Sequence, residues 1–182
     1  MLLMELLNEI KKRRSVRAFE EGDISDKEIQ ALIDAARFAP SWANTQCWEF
    51  IVVKDAEGKK KLAEALPPKN PARNAVECAP VDIIVCGKKG ISGAKRGEYV
   101  TELGDWLLFD CGIATQNICL QAHSMGLGSV IVGYFDAGNV REVMDVPSEV
   151  EVVCVIPIGR PKKVPDAPKR REIDEILHKE KF

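Results

Sequence analysis

The chain has 182 residues, 46% of them hydrophobic and 30% charged. That length and apolar content suit one domain, residues 1–182, with a sizeable core. The net charge of −2 excludes the broad basic field that nucleic acid demands, so anion binding must be local. No run approaches the roughly 18 apolar residues of a membrane span, and the start lacks a cleavable leader pattern; a cytoplasmic protein without membrane or nucleic-acid partners is expected.

At the start, Leu3, Leu6, Leu7 and Ile10 fall at helical spacing and predict a first helix that packs. RRSVRAF follows at 13–19. Arg13, Arg14 and Arg17 with Ser15 form a dense cationic cluster, and guanidinium groups bind phosphate through paired, charge-assisted hydrogen bonds. Ser25, with Glu28 three residues on, is a capping-box signature. It opens a helix whose apolar face is Ile29, Leu32, Ile33 and Ala36, ended by Pro40. APSWANTQCWEF at 39–50 is the second polar island. Its Ser41, Asn44, Thr45 and Gln46 carry hydroxyls and amides suited to the edge of a planar heterocycle. A phosphate grip and a ring-edge grip together suggest a nucleotide-like cofactor.

WEFIVV at 48–53 reads as a strand, and a lysine-rich helix over 56–66 is stopped by Pro67 and Pro68. A polar loop leads to an apolar strand over 81–87. GKKGISGAKRG at 87–97 has four glycines and four basic residues, which predicts a loop. It reads either as a solvated connection or as a short cationic lid for a phosphorylated reductant. The longest helix spans 102–125 and is apolar nearly all round, the mark of a core or a subunit interface. A strand at 128–134, a helix capped by Asp136 and running to 144, a strand at 150–159 and a final helix near 172–180 complete the order. Strands divided by helices imply a sheet covered by helices.

Several chemistries are excluded. The six cysteines show no CxxC and read as buried free thiols in a reducing compartment. Cys47, beside the second island, reads as a redox thiol or as a small hydrophobe. Two histidines cannot build a multi-histidine metal site, and the Cys119–His123 pair has no companion ligands, so no metal is expected. No GxSxG occurs. GLGSVIVG at 126–133 follows a helix and has the wrong glycine spacing for a dinucleotide fingerprint.

The two islands, in this order near the start, resemble the RRSxRxF and APSxxNxQPW elements of the nitroreductase family of FMN-dependent oxidoreductases. The likeness continues through GLGSVIVGYFD and the GRP…KR tail. It implies an α+β fold: a central mixed sheet flanked by helices, with the long buried central helix at a homodimer interface. It implies FMN as cofactor and NADH or NADPH as hydride donor. Nitroaromatics, quinones or free flavin would be acceptors in a ping-pong cycle through flavin N5, with no catalytic side chain. By the same resemblance Arg13, Arg14 and Ser15 hold the FMN phosphate end, Arg17 lies near N1 and O2, and Asn74 meets the ribityl chain. Val132 and Gly133 turn backbone N–H groups to N5 and O4. Arg170 matches the C-terminal phosphate arginine, in a register that its neighbours Lys169 and Arg171 leave open by one. Pro40, Ser41, Asn44 and Gln46 reach the flavin of the other subunit. Relatives that cleave flavin, dehalogenate reductively or merely store flavin are the alternatives. Two departures stand out: Cys47 replaces the motif's proline, and the segment before the long helix is short.

Overall fold

The computed structural model describes residues 5–182. Leu3 of the predicted first helix therefore lies outside the described residues. Helix α1 (Asn8–Lys12) is short, and Leu6, Leu7 and Ile10 on and before it are exposed. This helix does not pack its apolar side within the described chain, contrary to the expectation from its spacing. Helix α2 (Asp26–Arg37) has the predicted capping box at Ser25 and Glu28 and buries Ile29, Leu32 and Ala36.

After a 3-10 turn (Trp42–Asn44) come strand β1 (Trp48–Val53), helix α3 (Ala56–Glu64), helix α4 (Arg73–Cys78) and strand β2 (Val81–Lys88). Helix α4 occupies what the sequence predicts as an irregular polar connection. Asn70 creates it: its Oδ1 accepts from the Ala72 amide at 2.9 Å, and its amide donates to the Tyr134 carbonyl at 2.8 Å. Ala75 and Val76 are the only pair it buries, too short a signal to read as periodicity.

The glycine-rich loop contains a hairpin, β3 (Ala94–Lys95) and β4 (Glu98–Tyr99). Arg96 and Gly97 form its turn, both at positive φ, 54° and 84°. Such a two-residue turn matches the twist of paired strands, but it ordinarily recruits Asn-Gly, so an arginine there hides it. Helix α5 (Leu107–Ser124) begins five residues later than the sequence predicts, where Asp105 Oδ1 accepts from the Leu107 amide at 2.9 Å. Strand β5 (Gly128–Ser129), helix α6 (Ala137–Val143) capped by Asp136, and strand β6 (Val150–Gly159) follow. The predicted strand at 128–134 is broken, with a single further bridge between Val132 and Val155. The predicted final helix is only a 3-10 turn (Ile173–Glu175).

The sheet order is β1-β2-β6-β5, and its three ladders are antiparallel. The parallel element of the mixed sheet is one bridge, Ser15 to Ser129. Alternation along β2 sends Val81, Ile83 and Val85 toward α2 and α5, and Ile84 and Cys86 toward α3 and α6. In β6 a bulge at Val153, opposite Val85 and Cys86, switches the facing. Cys154, Ile156 and Ile158 join the first layer, while Val150 and Val152 join the second. Helices thus cover both faces of the sheet.

Helix α5 buries Leu107, Cys111, Ala114, Ile118, Cys119 and Ala122, but Leu108 and Phe109 are 65% and 60% exposed. Apolar nearly all round, it is covered within the chain on one side only. Among the described residues no helix is long and apolar enough to cross a membrane.

Five of the six cysteines are buried and free, and Cys78 is exposed. Burial pushes the Cys86 thiol up to about 12 and the Cys154 thiol up to about 11. A hydrogen bond with Cys47, and then burial, raise Cys111 further. Thiols held protonated are poor nucleophiles, which fits packing roles for these three.

Candidate functional site

The first island is an extended segment laid against the sheet edge. Val16 is buried, and its amide donates to the Ser129 carbonyl at 2.9 Å. Gly128 makes this contact possible, since a Cβ there would stand 2.8 Å from Val16 Cβ. With Val16 turned inward, Arg13, Arg14, Ser15 and Arg17 are left at the surface.

The chain's end folds back onto this segment. Glu20 donates its amide to the Arg160 carbonyl at 2.9 Å, and Lys162 donates to the Ala18 carbonyl at 3.0 Å. Arg160 also pairs with Glu28 of the α2 capping box at 3.2 Å. Residues 160–162 therefore run antiparallel to 18–20, and the next few residues cross over the arginines. The result is a cavity of about 300 Å³ lined by Arg13, Arg14, Ser15, Arg17 and Arg170, with Pro165, Asp166 and Pro168. Of the three adjacent basic residues 169–171, Arg170 is the one at this cavity, and Arg171 turns instead to the Glu175 carbonyl.

Asp166 brings one carboxylate to this lining against four guanidinium groups, so the cavity keeps an excess of positive charge. Among the described residues none of these four guanidinium groups forms an ion pair. Their fixed contacts are to main-chain carbonyls: Arg14 to Lys11 and Arg13 at 2.8 Å, and Arg17 to Ser15 at 3.4 Å. Four cations and a hydroxyl around one small cavity fit a phosphate group, which offers several charged acceptors.

Arg17 also lines a second cavity of about 580 Å³, with Phe19, Asn74 and Lys162 among its walls. The structure thus brings Asn74 beside Arg17. Helix α4 does this, by presenting Asn74 on its exposed side while Ala75 and Val76 anchor it. Arg17 thus lines both the arginine-rich cavity and the roomier one. The residues present fit a flavin mononucleotide in charge and donor type.

Val132 does not have the expected role. It is 4% exposed, and its N–H is committed to the Val155 carbonyl at 2.9 Å. It therefore has no amide proton to offer a ligand. Gly133 lies next to it and is exposed.

The second island is built differently. Ala43, Asn44 and Gln46 all have positive φ, 46°, 57° and 49°, which costs Ala43 and Gln46 roughly 1–2 kcal/mol each and Asn44 less. Local and distant bonds hold this conformation. Ser41 Oγ accepts from the Gln46 amide at 2.9 Å, and the Thr45 amide reaches the Trp42 carbonyl at 3.0 Å. The Trp42 amide donates to both carboxylate oxygens of Asp110, at 3.1 and 3.2 Å. Asn44, Gln46 and Pro40 are left exposed, and Ser41 is half-buried. Pro40, Ser41, Asn44 and Gln46 line none of the cavities around the arginines. Within one chain the two islands do not meet there.

Asp110 is the residue sequence reasoning missed. Its signal was present as one acidic residue in the apolar run 106–114. A buried carboxylate is costly unless satisfied.

Comparison with known proteins identifies the family and the fold. The pattern of the "Nitroreductase family" matches residues 10–160. A "Putative NADH dehydrogenase/NAD(P)H nitroreductase" of Archaeoglobus fulgidus is 36% identical over 185 residues, covering 98% of this chain and 99% of its own. A nitroreductase family protein of Clostridium difficile 630 superposes with a TM-score of 0.84 at 29% identity, covering 98% of this chain and all of its own. An FMN-dependent nitroreductase from C. difficile R20291 superposes with a TM-score of 0.81 at 28% identity, covering 97% of this chain and all of its own.

Proposed function

The chain belongs to the nitroreductase family, and from that premise we propose that it is an FMN-dependent oxidoreductase working as a homodimer. NADH or NADPH donates the hydride, and nitroaromatics, quinones or free flavins accept electrons. When bound, FMN supplies the hydride-transfer chemistry, and the protein supplies placement and electrostatics. Donor and acceptor take turns in one pocket, the ping-pong order.

The observation that carries this reading is the convergence of Arg13, Arg14, Ser15, Arg17 and Arg170 on one cavity, where among the described residues none of the four guanidinium groups is ion-paired. Arg13, Arg14, Ser15 and Arg170 hold the phosphate. Arg17, shared between the two cavities, stands where the ring's pyrimidine edge begins and favours added negative charge there. Asn74 meets the ribityl chain, and Gly133 is the backbone donor left at the ring's far edge.

The partner subunit supplies the other wall. The 40–46 loop presents Asn44 and Gln46 outward, away from its own chain's arginine cavities, as a loop serving a neighbour's site would. The exposed Leu108 and Phe109 of α5 are suited to the interface that brings the two chains together.

The test is anaerobic. FMN is added to the purified protein, free cofactor is removed, and NADH or NADPH is titrated in. The bound flavin's visible absorption should bleach with one or both nucleotides and return on adding a quinone or nitroaromatic. Flavin that neither nucleotide bleaches contradicts the enzyme assignment and favours flavin storage. Protein that retains no FMN contradicts the cofactor.

A further inference from the structure

We propose that Asp110 is a positioning residue that fixes the 41–47 loop in its flavin-facing shape and ties that loop to the β3–β4 hairpin. This rests on the reading of the loop as a flavin wall.

The observations are geometric. Asp110 is 1% exposed and stands in the first turn of α5, where the helix end favours negative charge. Two distant segments aim donors at its carboxylate. The Trp42 amide reaches both oxygens, at 3.1 and 3.2 Å. Ser92 Oγ, on the approach to the hairpin and itself fully buried, donates to Oδ2. Cys47 Sγ lies 3.8 Å from the same oxygen. Amide, hydroxyl and thiol all donate, as an acceptor-only carboxylate requires.

The location gives this satisfied carboxylate a further role. Trp42 and Cys47 bracket the three left-handed residues of the loop, so Asp110 grips both ends of the strained stretch. The strain persists only where surroundings over-determine it. Cys47 stands where the family motif has proline. A proline would stiffen the chain through its ring, whereas the cysteine here offers a side-chain donor to the buried anchor. Ser92 brings in the hairpin. Its carbonyl accepts from the Trp106 amide at 3.1 Å, and the Gly93 carbonyl accepts from Val100 at 2.9 Å, so the hairpin base and the loop share one fixed point.

Two measurements on Asp110→Asn and Ser92→Ala test this. The first is amide hydrogen exchange on flavin-free protein. Residues 41–47 should exchange faster in both variants, while β1, β2 and β6 keep their protection. The second is the Kd of FMN and of riboflavin by fluorescence quenching. Asp110→Asn should weaken both ligands by the same factor, about tenfold, because the loop that walls the ring loses its anchor while the phosphate grip is untouched. The bound flavin's visible band shape should change as well. Ser92→Ala should do the same about threefold, since one donor of three is lost, and it carries the test if Asp110→Asn does not fold. Unchanged loop exchange in a folded variant overturns the proposal. So does wild-type affinity for both flavins, or a loss confined to FMN. If the wild-type protein binds neither flavin, the flavin reading has failed, and the exchange result alone decides whether Asp110 anchors the loop.

Discussion

The arginine island and the 41–47 loop lie at opposite extremes of construction. The arginines sit on an extended segment held by the buried Val16, a bridge to Ser129 and the pairing of residues 18–20 with 160–162. Among the described residues their guanidinium groups form no ion pair, and those of Arg14 and Arg17 bond main-chain carbonyls. The loop is fixed by a buried carboxylate and by three residues in the left-handed region. Charge attraction to phosphate falls off slowly and tolerates side-chain movement. Recognition of a ring edge depends on hydrogen-bond direction and requires a fixed frame. The two islands divide one ligand according to how much rigidity each end demands.

That contrast can be broken first at the arginines. Arg13→Ala should weaken FMN by roughly a hundredfold, the effect of losing a charged hydrogen-bond partner, and barely change riboflavin. Parallel fluorescence titrations of the two ligands check this, and equal losses would remove the phosphate assignment. Asn44→Ala should cost about tenfold and should affect both ligands alike. Arg17→Ala, at the junction of the two cavities, should leave most binding intact while lowering the flavin midpoint potential by about 30 mV. Potentiometric titration decides it, and an unshifted potential would place Arg17 away from the ring.

The smallest effect supplies a control that touches neither island. Asp82 on β2 is fully buried, and neither carboxyl oxygen has a partner among the described residues. Burial therefore raises its pKa well above the ordinary 3.8. The folded state holds this proton to higher pH than the unfolded state does. Stability is thus unaffected below the ordinary carboxylate range and is lost as pH rises through and above it. Asp82→Val should stabilise the fold by about 1 kcal/mol near pH 8 and by less near pH 4. Thermal unfolding at the two pH values measures this, and flavin affinity should stay unchanged.

The sequence shows what is local. Arg13, Arg14, Ser15 and Arg17 fall within five residues, so their shared cavity is legible from spacing, as are the Ser25 capping box and the limits of β1 and β6. Contacts made at long range are not legible. Arg170 reaches the arginines because residues 160–162 pair with 18–20, a contact that no local pattern encodes. Asp110 belongs to a helix whose composition reads as core, and Trp42, Cys47 and Ser92, far away in sequence, give it a role. The Val132 amide, read as a ligand donor, is consumed by Val155 across a broken strand. The chain's own fold also leaves Leu108 and Phe109 exposed, so a helix that reads as wholly buried is covered on one side only.

The central claim is that RRSVR of one subunit and APSWANTQ of its partner hold opposite ends of one flavin. Mixed dimers carrying Arg13→Ala on one chain and Asn44→Ala on the other test it most directly, through their flavin stoichiometry. If the islands act across the interface, one site per mixed dimer combines an intact arginine cluster with an intact loop and binds FMN with wild-type affinity, while neither parent homodimer does. If both islands serve the same chain's site, every site in the mixed dimer is damaged, and the absence of any wild-type site would contradict the account.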